Sequence, residues 1–168
     1  GDLPKAKQLT EQVLALDEQI FGSQHPKLAS DLSNLGKILC GLGDLEGARR
    51  AYEQAVAIKE KTLNWDNARL ATDLVGLGGV LENLGNLASA RICLERVLAI
   101  DKHTFGADHP KVSNDLSELG RLLARAGDLA KAQLHLREAL RIDEQVLGAE
   151  HPRVADDLAH LGNILQQQ

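Results

Sequence analysis

Six histidines are the side chains of this 168-residue sequence best suited to acid–base or metal chemistry. Three of them stand before a proline at one repeated spacing: His25, His109 and His151. A residue that recurs in this way is predicted to cap or pack a loop, not to act as a ligand or a base. The other three are isolated and are predicted to lie at the surface: His103, His135 and His160.

The remaining reactive groups do not form a catalytic constellation either. Adjacent carboxylates occur as Asp17 with Glu18 and as Asp156 with Asp157. Neighbouring positions of a helix point apart, so neither pair is predicted to work as acid and base. Cys40 and Cys93 match no metal framework and are predicted to be small core or groove residues in a reducing compartment. Without a Gly-rich phosphate loop, a His-Glu-x-x-His motif or a Ser elbow, we expect no enzyme, metal or cofactor.

The composition favours helices and excludes several classes of partner. Apolar residues make up 43%, charged residues 26% and aromatic residues 2% of the chain. A core of Leu, Ile, Val and Ala suits helices, and too few aromatic rings are present to stack nucleic acid bases. The net charge of −5 gives no basic field for nucleic acid or anionic lipid. With no membrane-length apolar run or signal-like start, we predict a cytoplasmic location. Because Met is absent even from position 1, we expect a piece of a longer protein.

An internal repeat determines the predicted architecture. The tripeptide Gly-Asp/Asn-Leu begins at Gly1, Gly43, Gly85 and Gly127, a step of 42 residues each time. After each tripeptide, apolar residues recur at spacings of three and four, which indicates one face of a helix. A Gly-x-x-His-Pro segment then precedes a second helical pattern in three of the four units. Gly can end the first helix and Pro can begin the second.

Glycine recurs inside the second helix, where it costs about 1 kcal/mol relative to Ala. The four positions are Gly36, Gly78, Gly120 and Gly162. They predict a close approach of the neighbouring helix, with the small residues Ala48, Ala90 and Ala132 on the facing side. Asp44 and Asp128 are placed to cap the helices that follow the tight turns. The further glycines Gly76 and Gly79 either open space or permit close packing.

The series Leu32, Leu35, Gly36, Leu39, Ala48, Tyr52 and Ala55 resembles the tetratricopeptide signature. The 42-residue period and the Gly-x-x-His-Pro loops resemble the longer variant found in kinesin light chains. The resemblance implies an all-α, right-handed superhelical solenoid of antiparallel helix pairs, with eight helices. The family's repeat, an inner helix followed by an outer helix, then divides the chain as follows. Residues 1–24 hold an unpaired outer helix, and residues 151–168 hold an unpaired inner helix. Three complete repeats lie between them, at residues 25–66, 67–108 and 109–150.

The resemblance also implies a concave groove lined by the inner helices. The residues predicted to line it are Ser30, Asn34, Lys37, Thr72, Val75, Gly79, Asn83, Asn114, Ser117, Arg121, Arg125 and Asn163. In peptide-binding members, an Asn in the place of Asn34 holds the ligand backbone. Lys37, Arg121 and Arg125 would favour an acidic peptide. The alternative is a polar face without peptide preference.

Two functions remain open at this point. The first is a non-catalytic scaffold that binds a partner peptide or domain in the groove. The second is a structural or regulatory repeat region, a sensor or self-assembly module, of a larger signalling ATPase or another multidomain protein. Weak head-to-tail self-association is predicted through apolar residues of the first and last helices: Leu3, Ala6, Val13, Leu158, Leu161 and Leu165. The segment 64–67 lacks the other loops' motif, and Trp65 within it is predicted to be partly buried.

Overall fold

The computed structural model of the protein describes residues 2–62 and 68–166. Those residues form eight α-helices and no strand, which confirms the predicted fold class. The helices are α1 (Leu3–Phe21), α2 (Pro26–Gly41), α3 (Leu45–Thr62), α4 (Ala68–Asn83), α5 (Leu87–Phe105), α6 (Pro110–Arg125), α7 (Leu129–Leu147) and α8 (Pro152–Gln166). The prediction for Trp65 and the segment 64–67 lies outside the described residues.

Side-chain caps begin the helices that follow the tight turns. The backbone N–H of Gly47 donates to Oδ1 of Asp44 at 2.9 Å, and that of Lys131 donates to Oδ1 of Asp128 at 3.2 Å. Each bond satisfies an N–H group that has no partner within its own helix. The turn before Asp44 passes through Gly43 at φ +78°, where a side chain would be strained. The capping prediction is therefore confirmed.

The repeated histidines also begin helices, as predicted. Nδ1 of His25, of His109 and of His151 accepts a hydrogen bond from the backbone N–H two residues later, at 3.2 Å in each case. The rings of His25 and His109 additionally stack on Phe21 and Phe105, with centroids 4.8 Å apart. Because Nδ1 serves as the cap acceptor and two of the rings are packed, these residues shape the loops.

The chain divides into two compact units, residues 1–93 and 94–168, and α5 begins in the first and ends in the second. In the first unit α2 packs on α1 and α3, and α3 packs on α4. In the second unit α7 packs on α6 and α8. Each core is aliphatic, with Leu28, Leu32 and Ile58 buried in one and Leu116, Leu136 in the other. Burial of such side chains is the main favourable term in helix pairing.

The helix glycines do permit close packing, with a different neighbour in each unit. At Gly120 an added Cβ would lie 2.8 Å from Cγ of Leu136 and 3.2 Å from the carbonyl oxygen of Ala132. That agrees with the predicted approach of Ala132. At Gly36 the nearest atoms belong to the ring of Tyr52, at 3.0 Å, and not to Ala48. The predicted close approach is thus confirmed at Gly36 and Gly120, although the residue facing Gly36 is not Ala48. It is wrong at Gly162, where an added Cβ would meet no atom within 4 Å.

Candidate functional site

In the first unit the predicted groove residues are exposed on α2 and α4. Those on α2 are Ser30, Asn34 and Lys37, and those on α4 are Thr72, Val75, Gly79 and Asn83. The hydroxyl of Thr72 donates to the carbonyl oxygen of Ala68 at 3.2 Å, so it is satisfied within its helix. Val75 is 49% exposed and gives this face one apolar contact point. No charged cluster forms among these seven positions, because Lys37 is their one basic residue.

In the second unit two of the predicted groove residues already have protein partners. The hydroxyl of Ser117 on α6 donates to Oδ1 of Asp157 on α8 at 2.6 Å, which ties the two helices together. Arg121 forms an ion pair with Glu118, one turn earlier on α6. Ser117 and Arg121 are half-buried. The sequence analysis did not predict that Glu118 would partly neutralise the charge of Arg121. The signal was present, because residues three positions apart on a helix lie within contact distance.

Three predicted groove residues of the second unit, Arg121, Arg125 and Asn163, help to form a cavity of about 360 Å³. Its polar wall consists of Arg121, Arg125, His160 and Asn163, and its apolar wall of Ala124, Leu136 and Ile164. Asn114 is exposed on α6 and is not among the lining residues. The structure therefore brings together Arg121, Arg125 and Asn163, which the sequence predicted to line the groove, with His160 of the same helix as Asn163. Two guanidinium groups beside an apolar wall suit a carboxylate-bearing side chain with neighbouring apolar atoms.

Two of the isolated histidines lie deeper than the sequence predicts. His160 is half-buried in the cavity wall, and His135 on α7 is half-buried as well, whereas His103 is exposed. Burial lowers the pKa of His135 below its usual value. A helical periodicity alone does not reveal this burial, because position 135 lies between the core face and the exposed face of α7.

The residues predicted for end-to-end contact differ in exposure. Val13, Leu158 and Leu165 are exposed, at 42%, 52% and 56%, while Leu3 and Ala6 are half-buried. Leu161 is only 8% exposed, so the prediction that it is left uncovered is wrong. Its side chain turns into the aliphatic core that α7 shares with α8. Leu9, Leu16 and Ile20 on α1 were not predicted, and they are 53%, 57% and 68% exposed.

Eight further polar residues are buried at equivalent positions of the repeat. On the outer helices they are Asp17, Lys59, Asp101 and Asp143, and on the inner helices Asp31, Asp73, Asp115 and Asp157. Lys59 and Asp73 form an ion pair with Nζ 2.5 Å from Oδ2. The adjacent carboxylates considered from the sequence do point apart, since Asp157 is buried and Asp156 exposed. The carboxylates that meet come instead from neighbouring helices.

No grouping of three or more His, Cys, Asp or Glu suited to a metal ion occurs within residues 2–62 and 68–166. In the same two ranges no helix has the length and apolar character required to cross a membrane. The two cysteines are free, with Cys93 buried and Cys40 half-buried. The candidate functional site is the cavity at α6 and α8, where predicted groove residues line a concave surface.

Comparison with known structures gives close matches in fold. The chain aligns over 99% of its length with 79% of a candidate kinesin light chain with nearly identical TPR-like repeats from Podosopora anserina, at 27% identity and a TM-score of 0.88. A single-substitution variant of that protein gives the same identity and TM-score over 78% of its length. BtubC (BKLC) from P. vanneervenii matches at 23% identity, with 99% of this chain and 66% of that one covered and a TM-score of 0.86.

Sequence comparison gives the same result at the level of the family. No curated protein matches the chain at a significant level. The tetratricopeptide repeat family matches residues 1–61 and 69–145, which is most of the chain. Proteins with this fold are typically interaction scaffolds without catalytic activity. The chain therefore belongs to the tetratricopeptide repeat family and resembles its kinesin-light-chain-like members.

Proposed function

We propose that the chain is a protein-binding scaffold that binds an acidic segment of a partner protein through the cavity at α6 and α8. The observation that carries this proposal is the placement of Arg121 and Arg125 beside the apolar atoms of Leu136 and Ile164. Guanidinium groups bind carboxylates with two parallel hydrogen bonds, and an apolar wall reduces the competition from water. A short segment with one or two Asp or Glu beside a Leu or Val would use both parts of the cavity.

Two further side chains, one in the cavity wall and one beside it on α6, support binding to a peptide backbone. The amide of Asn163 both donates and accepts hydrogen bonds, so it can pair with a peptide group. Ser117, which is bonded to Asp157, joins α6 to α8 and preorganises the site. In the first unit Asn34 and Lys37 are exposed on α2 and can extend the contact.

The experiment is a display selection against the 168-residue chain, with a library of short peptides that contain Asp or Glu next to apolar residues. Selected peptides are then measured by fluorescence anisotropy against Arg125→Glu and against Arg137→Glu, an exposed charge-matched control on α7. We expect Arg125→Glu to weaken binding by roughly tenfold or more and Arg137→Glu to change it by less than about twofold. Equal effects of the two variants would refute the proposed site.

We also propose that the chain associates weakly with a second copy, head to tail. The exposed face of α1 contains Leu9, Val13 and Leu16, and Leu16 occupies the repeat position at which Ile58 and Ile142 are 5% and 0% exposed. The exposed residues of α8, Leu158 and Leu165, likewise correspond to buried leucines of α2 and α6. An inner helix of one copy can therefore pack on an outer helix of the next in the manner of an internal repeat. This contact would serve the second function considered above, a self-assembly module of a larger protein.

A further inference from the structure

A buried pair of ionisable side chains recurs at each junction between an outer helix and the inner helix that follows it. We call these the junction pairs: Asp17 with Asp31, Lys59 with Asp73, Asp101 with Asp115, and Asp143 with Asp157. All eight residues are 9% exposed or less, and each pair is separated by 14 positions. The second pair is an ordinary ion pair of opposite charges. The other three place two acids together, which needs a physical explanation.

In each acidic junction pair, both acids have a buried oxygen without a hydrogen bond. On the inner helices these are Oδ2 of Asp31, of Asp115 and of Asp157, and the outer-helix acids Asp17, Asp101 and Asp143 have such oxygens as well. A buried carboxylate oxygen that lacks a donor is costly, and two ionised carboxylates in contact repel each other. One proton on each pair removes both costs, because the protonated oxygen can donate to the partner carboxylate.

A basic residue ten positions after the outer-helix acid contacts the carboxylate of that acid. Nζ of Lys27 lies 2.7 Å from Oδ2 of Asp17, and Nζ of Lys111 lies 3.0 Å from Oδ2 of Asp101. At the last junction, Nε of Arg153 lies 3.1 Å from Oδ2 of Asp143. Each cation therefore lies against the outer-helix acid, and Lys27 is also 3.8 Å from Oδ2 of Asp31. The shorter contact to the outer-helix acid favours the inner-helix acid as the site of the proton.

The pKa directions agree with this division of roles. Burial raises the pKa of Asp115 to about 7, and its hydrogen bond with Asp101 and the negative charge of Asp101 act in the same direction. Lys111 lowers the pKa of Asp115 and Glu118 raises it, and these are the other charged groups acting there. Burial also raises the pKa of Asp31 and that of Asp157. At the first junction the hydrogen bond from Lys27 lowers the pKa of Asp17, so the proton resides on Asp31.

We propose that the acidic junction pairs Asp17–Asp31 and Asp101–Asp115, in each of which the two carboxyl groups are hydrogen-bonded, each bind one shared proton in the folded chain, so that a fall in pH tightens these helix junctions and a rise in pH loosens them. The Lys59–Asp73 pair makes the second junction independent of this proton. The array would thus carry a built-in response to pH that goes beyond partner binding. It acts through the packing of repeats on each other, and not through the cavity at Arg125.

The sign follows from the proton balance at Asp115. An unfolded aspartate loses its proton near pH 3.8, whereas folded Asp115 keeps it until about pH 7. Between these values the folded chain binds more protons, so the stability that this group contributes is complete below the lower value and lost as the pH rises to the upper one. The loss approaches about tenfold in the folding equilibrium constant per pH unit. Asp17 and His135, with lowered pKa values, act in the opposite direction as the pH falls.

The test measures the 168-residue chain and its Asp115→Asn variant in parallel from acid to slightly alkaline pH. The Asn amide can donate to Asp101 as the protonated acid does, but it cannot titrate. We expect the folding equilibrium constant of Asp115→Asn, relative to that of the unaltered chain, to rise by at least about tenfold between pH 5 and pH 8 in urea unfolding. Asp156→Asn, an exposed neutralisation on α8, is the matched control and should show no such rise.

Carbon-13 NMR of the side-chain carboxyl groups supplies a reading that does not depend on unfolding. The Asp115 signal should titrate well above the range of an exposed aspartate, and amide exchange in α5 and α6 should accelerate as it does so. If Asp115→Asn fails to fold, this titration of the unaltered chain decides the matter alone. An Asp115 carboxyl that titrates near pH 4, or parallel stability profiles for the two chains, would overturn the proposal.

Discussion

The ring of Tyr52 lies so close to Gly76 that a Cβ at Gly76 would be 2.6 Å from its Cζ. On its other edge the ring meets Gly36, where a Cβ would lie 3.0 Å from Cε2. Tyr52 is 4% exposed, and burial raises its pKa to about 12. Two glycines from α2 and α4 therefore form a slot for one aromatic ring of α3. Packing explains why Gly76 occupies the position at which α2 carries Asn34.

The slot predicts opposite effects for two neighbouring glycines of α4. We expect Gly76→Ala to lower the free energy of unfolding by roughly 1–3 kcal/mol, because the ring cannot move away from Gly76 without approaching Gly36. This loss should outweigh the gain of about 1 kcal/mol in helix propensity. A Cβ at Gly79 meets no atom within 4 Å, so Gly79→Ala should stabilise the chain by up to about 1 kcal/mol. Urea unfolding measures both.

A double-mutant cycle separates the contact from general effects on α4. The next two 42-residue repeats have Leu at the position of Tyr52, namely Leu94 and Leu136. Tyr52→Leu therefore replaces the ring with a side chain that the repeat already contains at this position. In that background Gly76→Ala should cost at least about 1 kcal/mol less. If Gly76→Ala costs the same with Tyr or Leu at position 52, the slot does not explain the glycine.

The helices could be predicted from the sequence because their signals are local. Glycine turns, His-Pro starts and apolar spacing each act within a few residues, and the structure follows them closely. The slot around Tyr52 could not be predicted in this way, because Gly76 lies 24 positions along the chain and on another helix. The predicted partner, Ala48, was inferred from size alone, whereas the actual contact depends on the direction in which the Tyr52 side chain leaves α3.

The buried acids of the junction pairs are visible in the sequence as a repeated Asp. A search for motifs within single helices does not find it. Asp recurs at positions 31, 73, 115 and 157, with no exception in the four units. The comparison of Asp156 with Asp157 was correct and did not reveal the pairs, since the partner of Asp157 is Asp143 on the preceding helix. Comparing equivalent positions across units would have identified the buried acids. It would not have revealed which of them holds the proton, because that depends on where Lys111 and its equivalents reach.

The cavity at α6 and α8 predicts a gain of function on removal of one charge. Glu118 pairs with Arg121 and neutralises part of the basic charge offered to an acidic peptide. We expect Glu118→Gln to tighten the binding of a selected acidic peptide by roughly threefold to tenfold at low salt, with a steeper salt dependence. The measurement is anisotropy over a salt series, with Glu144→Gln on α7 as the exposed control. Unchanged affinity in Glu118→Gln would show that Arg121 takes no part in binding.

The second junction predicts that a fourth acidic pair can be created. Lys59 stands where the other units have Asp, and Arg69 stands where they have Lys or Arg. We expect the Lys59→Asp chain to fold. Its stability should fall further with rising pH than that of the unaltered chain, because the second junction then also contains two acids. Asp73→Asn is the contrasting variant. It leaves the buried ammonium of Lys59 without its carboxylate and should lower the free energy of unfolding by about 3–5 kcal/mol. It should not add a new dependence of stability on pH. Urea unfolding at acid and neutral pH compares the three chains.

The proposed head-to-tail contact predicts a pattern that a symmetric dimer cannot give. Leu16 on α1 and Leu158 on α8 are 57% and 52% exposed, and each would lie in the contact on one side only. Leu16→Asp and Leu158→Asp should each abolish the concentration-dependent increase in mass, because a buried Asp without a partner opposes association. The matched control is Ile92→Asp, at a residue that is 55% exposed and belongs to α5, not to α1 or α8.

A mixture of the two variants is the decisive sample. The unaltered α8 of Leu16→Asp chains can still receive the unaltered α1 of Leu158→Asp chains, and the resulting pair presents only altered faces. We therefore expect sedimentation velocity to show dimers in the mixture, monomers in each variant alone and longer chains in the unaltered protein at high concentration. The contact is a single helix–helix junction, so the affinity should be weak. Monomers at every concentration, or dimers formed by one variant alone, would contradict head-to-tail packing, because a heterologous contact requires both faces to be intact.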